Sequence, residues 1–305
     1  MAATPALGPV GRIVAGIDRS PEARAALGWA ERLAGAGPGA VEIVAVHAVG
    51  LLPALDGRLL AAHREQARIE QVVADDWCAP LRRAGRAFRA VVRDGVPAEV
   101  LRQVAVEESA GLVVVGSRGV GTTPAGALGS TSLHLLQLAP CPVLVVPAPA
   151  VPTGHVTIRE IVLAVDGASP TTRAADLAAH LAALDGATLT IVHAVEEVPV
   201  FPLGPATTVS SRGEAEAPEQ DRSRLVPLIH RLRQGGRPTL LRVERGGAPD
   251  VVAAIAVGLG ADLVVAGSAH PSHSPDPLYD STSRRIAAHL GALGYPVLVV
   301  PEPAT

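Results

Sequence analysis

The chain of 305 residues contains no lysine and no asparagine, and all 26 of its basic residues are arginine. It is also poor in aromatic side chains, with two Trp, two Tyr and two Phe, and it holds two Cys and one Met. Codon composition accounts for the missing residue types, but the chemical consequence holds whatever the cause. A P-loop lysine, the strand lysine of a protein kinase, a Schiff-base lysine and pyridoxal-phosphate catalysis are all excluded. Any phosphate bound here would be held by backbone N–H groups, hydroxyls or arginine. Cys78 and Cys141 are far apart and form no CxxC pattern, which excludes a zinc ribbon or disulfide framework and points to a reducing, cytoplasmic setting. The opening MAATPALGPVGR has neither a basic start nor an apolar core, so no signal peptide is expected. No apolar run reaches the ~18 residues needed to span a bilayer. A net charge of −3 and a pI near 6.4 give no footprint for nucleic acid or an anionic membrane.

What is present is a hydrophobic fraction of 48% with 18% charged residues, the composition of a globular chain. The length is twice a common domain size of ~150 residues, and internal similarity explains why. IVAGIDRSP at 13–21 resembles IVLAVDGASP at 161–170, aligning Asp18 with Asp166. IVAVHAV at 43–49 matches TIVHAV at 190–195, aligning His47 with His193. RDGVPAEVL at 93–101 matches RGGAPDVV at 245–252, and LVVVGS at 112–117 matches LVVAGS at 263–268. CPVLVVP at 141–147 matches YPVLVVP at 295–301. The order is the same in both halves, so the chain reads as a duplicated domain, 1–148 and 149–305, joined at the Pro-rich segment 148–155.

Each copy alternates short β-branched runs with Ala-rich helical windows. In the first, strands are predicted near 12–17, 41–48, 87–93, 112–116 and 142–147. They are continuously apolar, as parallel strands covered on both faces must be. Helices are predicted near 21–35, 56–84, 97–110 and 130–138; the long one carries Ile69, Val73, Trp77 and Leu81 as an apolar stripe. The second copy repeats the plan, with 198–218 expected as an insertion before its long helix. The fold class is therefore α/β: two doubly wound parallel five-stranded sheets of Rossmann-like type.

Ligands of such sheets bind at the carboxyl ends of the strands. Gly16-Ile17-Asp18-Arg19-Ser20 is not a GxGxxG turn, which counts against a dinucleotide dehydrogenase. The glycines instead follow the fourth strand, as Gly116-Ser117-Arg118-Gly119 and then Gly129-Ser130-Thr131-Ser132. Glycines at 116 and 119 permit close main-chain approach and positive φ. A helix beginning after Gly129 would offer free N–H groups, hydroxyls and its dipole to an anion. The alternative for that segment is an ordinary loop with Ser130 as N-cap.

The spacing Gly116-x2-Gly119-x9-Gly129-Ser130, between LVVVG and a helix leading to PVLVVP, resembles the ATP-binding signature of the universal stress protein family. IVAGIDRSP and the HAV closing the second strand match that family in the same order, and the resemblance covers the chain as a tandem of two such domains. It implies an adenine-nucleotide-binding fold with strand order 3-2-1-4-5 and a stress-response role without a defined reaction. On this resemblance Gly16, Ile17 and Asp18 would border adenine and ribose, and Ala48 would offer backbone hydrogen bonds to the adenine edge. Val115, Gly116, Arg118 and Gly119 would flank ribose and phosphate, while Gly129, Ser130, Thr131 and Ser132 would grip the phosphates. The cofactor would be ATP, and Mg2+ shared with the phosphates is compatible with it although no carboxylate cage is visible. For Asp18, a cap on the helix starting at Pro21 is the competing role.

The second copy departs from the signature. Gly267 and Ser281 keep the spacing, but His270 and Asp280 replace the second and third glycines. Asp280 at a helix start would cap the N–H groups that a phosphate needs, so strong binding is expected in the first domain alone. His270, His273, Asp276 and Asp280 could ligate a metal, but a solvated Pro-rich loop is commoner, and no metal site is assigned. His47 and His193 read as structural histidines. Ser130 and His134 share a helix face, but without a GxSxG elbow or third member they make no catalytic set. The final strands, bracketed by prolines, need covering; in the family the equivalent strands pair across a two-fold interface. Here they could pair within the chain as a pseudo-dimer, with a further homodimer left open. Three functions follow: a non-catalytic ATP-dependent regulator, a slow ATPase or nucleotide-transferring enzyme, or a scaffold for protein partners that binds no nucleotide. The first is preferred, because no base adjoins the phosphate loop.

Overall fold

The computed structural model describes residues 11–35, 41–49, 59–120, 127–148, 157–166, 172–195, 212–234, 238–268 and 281–301. The first copy runs β1 (Arg12–Gly16), α1 (Pro21–Gly35), β2 (Glu42–Val49), α2 (Leu59–Val72), a π-helical turn (Val73–Trp77), α3 (Ala79–Arg83), β3 (Phe88–Asp94), α4 (Pro97–Glu107), β4 (Leu112–Gly116), α5 (Ser130–Leu138) and β5 (Val143–Val146). The second runs β6 (Glu160–Val165), α6 (Thr172–Asp185), β7 (Thr188–Val195), α7 (Arg212–Arg233), β8 (Thr239–Arg245), α8 (Ala248–Leu259), β9 (Leu263–Ser268), α9 (Thr282–Ala292) and β10 (Val297–Pro301).

Strand order is β3-β2-β1-β4-β5-β10-β9-β6-β7-β8, so each copy has the expected order 3-2-1-4-5 and the two copies form one ten-stranded sheet. All neighbours are parallel except β5 and β10, which run antiparallel with Leu144 opposite Leu298. The duplicated final strands thus cover each other within the chain. Alternation along the strands divides the core between two faces. Ile13, Ala15 and Ile17 pack with α1, while Val14 packs with α4. Both clusters are continuous across the two copies: the first joins α1 to α6, and the second joins α5 to α9. The ion pair between Arg32 of α1 and Asp185 of α6 adds a polar tie, and Asp185 also accepts from the Ile158 N–H at 2.9 Å.

Two expectations are corrected. The window 56–84 is not one helix. At Val73–Trp77 the ladder widens, with the Cys78 N–H donating to the Val73 carbonyl at 2.9 Å. The extra residue moves Cys78 into the core position where an uninterrupted stripe would have put Trp77, and Trp77 is left half-buried at the rim. In the second copy α7 already begins at Arg212, inside the segment expected as an insertion; residues 196–211 lie outside the described residues.

Candidate functional site

The topological switch point of the first copy lies between β1 and β4, where the chain reverses its direction of travel across the sheet. β1 ends there at Gly16. α1 starts with Ser20 as its cap, the Ser20 hydroxyl accepting from the Ala23 N–H at 3.0 Å, and Pro21 occupies the first helical position. This answers the competing role for Asp18, because the helix already has its cap. Asp18 instead bridges two segments. Its Oδ1 accepts from the Ser20 N–H at 2.8 Å, and its Oδ2 accepts from the Val120 N–H at 3.2 Å, across 102 positions of sequence.

That second bond explains Gly119. A Cβ there would stand 2.6 Å from Asp18 Oδ2, and at Gly116 one would stand 2.6 Å from the Glu22 Cβ. Both glycines admit close approach, and neither has positive φ, so the conformational half of the sequence argument is corrected. The loop is tied to α5 as well. The Gly129 N–H donates to the Ser117 carbonyl at 2.8 Å, and the Ser132 hydroxyl donates to the Gly116 carbonyl at 2.6 Å. Ser132 is buried, so its side chain locks β4 to α5, while its backbone N–H belongs to the first turn of the helix.

The N-cap of α5 is Gly129, in extended conformation, and no side chain accepts from the first turn. Ser130 is therefore not the cap; its hydroxyl is exposed, and Thr131 is half-buried. Uncapped N–H groups with the helix dipole behind them attract an anion. Arg118 stands beside this helix start, but its Nε pairs with Glu22 Oε1 at 3.4 Å. Glu22 is only 8% exposed, so the pair is partly desolvated and the arginine is not a free cation.

Val115 is buried on the α4 face behind this loop. At the end of β2, the Ile17 N–H donates to the Val46 carbonyl at 2.9 Å. Backbone groups alternate sides along a strand, so those of Ala48 also face β1, beyond the last pairing there. His47 Nδ1 lies 2.9 Å from the Ile17 carbonyl. A carbonyl only accepts, so that nitrogen carries hydrogen. His193 repeats the bond to Val165 at 3.0 Å. The histidines hold strand ends together, as expected.

The sequence reading did not connect His47 with Trp77 and Arg19. The Trp77 ring meets the His47 ring edge-on at 4.9 Å between centroids, and the Arg19 guanidinium lies 5.6 Å from the Trp77 ring centre. The usable signal was the rarity of tryptophan in this chain together with its place on a helix facing the end of β2. The other tryptophan, Trp29, is sealed in the core.

The second copy differs where it matters. α9 is capped by Ser281, whose hydroxyl accepts from the Arg284 N–H at 3.4 Å and lies 3.1 Å from the Ser283 hydroxyl. The cap is thus Ser281 and not Asp280. His270, His273, Asp276 and Asp280 lie outside the described residues. Among the described residues no three His, Cys, Asp or Glu gather as a metal site would require. Nor is any described helix long and apolar enough to cross a membrane. Cys78 and Cys141 are free and buried, and burial pushes their thiols up to about 11 and about 12.

A doubly wound sheet with a glycine-lined loop beside an uncapped helix start defines a Rossmann-like α/β fold. A sequence model of the universal stress protein family matches residues 9–147 and 157–301, and the chain belongs to that family. A universal stress protein of Mycolicibacterium smegmatis is 31% identical over 207 residues, 63% of this chain and 67% of the relative. One from Synechocystis sp. is 41% identical over 63 residues, 21% of this chain, and the match spans only 40% of that relative's length. The crystal structure of a universal stress protein from Archaeoglobus fulgidus superposes with a TM-score of 0.69 at 16% identity, covering 97% of this chain and 100% of that one.

Proposed function

We propose that the first domain binds one adenine nucleotide, ATP, and that the protein is a non-catalytic, nucleotide-dependent stress-response regulator. The observation that carries this reading is the contrast between the two helix starts. The first turn of α5 has no side-chain cap and is clamped beside the Gly116–Gly119 loop, whereas α9 is capped by its own Ser281. The phosphates would lie on the N–H groups of Ser130, Thr131 and Ser132, with the Ser130 hydroxyl and Arg118 alongside. The ribose would sit by Asp18, Gly16 and Ile17, and the adenine edge against the Ala48 backbone. Mg2+ would be held by phosphate oxygens and water, since no carboxylate cage is present among the described residues.

The enzymatic reading needs a base beside the phosphates. Asp18 is the carboxylate that reaches the loop after β4, and both its oxygens accept backbone N–H bonds, while Glu22 beside it pairs with Arg118. That disfavours hydrolysis, and turnover of ATP by the purified chain would restore it. The buried thiols and the absence of any spanning helix among the described residues fit a cytoplasmic protein. The deciding experiment is mass spectrometry of small molecules released when purified protein is denatured, followed by calorimetric titration with ATP. Release of adenine nucleotide and one site per chain are expected. No nucleotide and no titration would leave a partner-binding scaffold as the surviving reading.

A further inference from the structure

The second domain has a closed helix start of its own, yet it reaches the open site of the first. The last turn of α9 lies on the phosphate loop. A Cβ at Gly291 would stand 3.3 Å from Leu128 Cδ2 and 3.9 Å from the Ser117 Cβ. Ser117 is buried; its N–H donates to the Val146 carbonyl at 2.7 Å and its carbonyl accepts from Gly129, the cap of α5. Leu128 precedes that cap and packs on the apolar cluster shared by α5, α9 and the β5–β10 seam.

The two final helices differ in length. α9 has 11 residues and α5 has 9, so α5 ends before the position that Gly291 occupies in α9. In its place there is a cleft of about 350 Å3, lined by Leu136, Leu138, Cys141, Ser268 and Val299. The loop after β4 is therefore backed by the neighbouring copy.

We infer that the second domain serves as a wall of the first domain's site, with Gly291 as the positioning residue that lets α9 seat against Ser117 and Leu128 and hold the loop onto the start of α5. The ligand part of this inference rests on the nucleotide reading above; the mechanical part does not. A side chain at 291 would press on Leu128 and so spoil the alignment of the Gly129–Ser132 amides.

The test is Gly291→Leu in the full chain, because leucine is a better helix former than glycine and fraying of α9 cannot explain a loss. Calorimetry with ATP and with adenosine, and hydrogen exchange of peptides covering 117–133, are measured together. Expected are ATP affinity about 10-fold weaker, adenosine affinity unchanged, faster exchange at the start of α5, and recovery of both in Gly291→Leu/Leu128→Ala. Gly258→Leu, where a Cβ meets nothing within 4 Å, should alter neither. ATP affinity within twofold of the parent, or equal weakening of ATP and adenosine, overturns the inference. If the parent chain binds no nucleotide, the functional reading fails, and exchange alone decides: unchanged exchange in Gly291→Leu sinks the wall.

Discussion

Replacing Gly119 with alanine tests the most specific contact in the site. The new Cβ would lie 2.6 Å from Asp18 Oδ2, well inside van der Waals contact. Asp18 has a short side chain and is pinned through both oxygens, so relief requires giving up the bond from the Val120 N–H. A hydrogen bond to a charged group contributes about 1.5–3 kcal/mol, and Val120 is 73% exposed, which places the loss near the lower end. About 1.5 kcal/mol corresponds to roughly a 10-fold loss of affinity for a ligand that needs the loop in place. Global stability should hardly move, since Gly→Ala also removes ~0.4–1 kcal/mol of unfolded-chain entropy at a compatible φ. Calorimetry with ATP and urea unfolding read the two effects separately. The decisive arm is a cycle with Asp18→Ala. If collision with the carboxylate is the cause, Gly119→Ala adds almost nothing once Asp18 is truncated. Additive losses would refute the reasoning, as would a Gly119→Ala chain that binds ATP like the parent.

Gly129→Asp puts a capping carboxylate on the open turn of α5 and should abolish ATP binding in calorimetry while leaving the melting temperature unchanged or raised. In a Trp29→Phe chain, Trp77 is the sole tryptophan, and its emission should shift when ATP is added, as the ring rests on the residue beside Ala48. Leu144→Ala should cost about 2–5 kcal/mol by urea unfolding, since Leu144 is buried at the seam of the sheet opposite Leu298. Both thiols should resist labelling at neutral pH until the chain unfolds. Their folded values lie above an ordinary 9.0, so the native state keeps protons that the unfolded state releases. Stability should therefore fall as pH rises from about 9 towards 11, and Cys78→Val should flatten that slope in melting curves.

The strands and the placement of the glycine loop were legible because they are written in short-range patterns: apolar runs for buried parallel strands, and fixed spacing around Gly116, Gly119 and Gly129. The order of the strands came only with the family resemblance that this spacing carries. What was not legible depends on contacts across many residues. The partner of Asp18 is Val120, and nothing local distinguishes a carboxylate that caps its own helix from one that holds a distant loop. The partner of Arg118 was equally hidden, because Glu22 is distant in sequence although it is adjacent in space. Trp77 was assigned to a stripe of period 3.6, and a single π-helical turn was enough to move Cys78 into its place. The roles of Ser130 and Ser132 depended on a shift of one residue in the cap, within the ordinary uncertainty of helix ends.

The antiparallel seam between β5 and β10 also has a genetic meaning. When two separate copies of a chain pair, every substitution appears on both sides of the axis, and a mutation that shuts one site shuts its mate. Here the halves are joined at Leu144 and Leu298 yet encoded separately. One half was thus free to carry Asp280 where the other kept Gly129, and to have a longer final helix. Inheritance through one reading frame keeps the two halves at one to one in every molecule made.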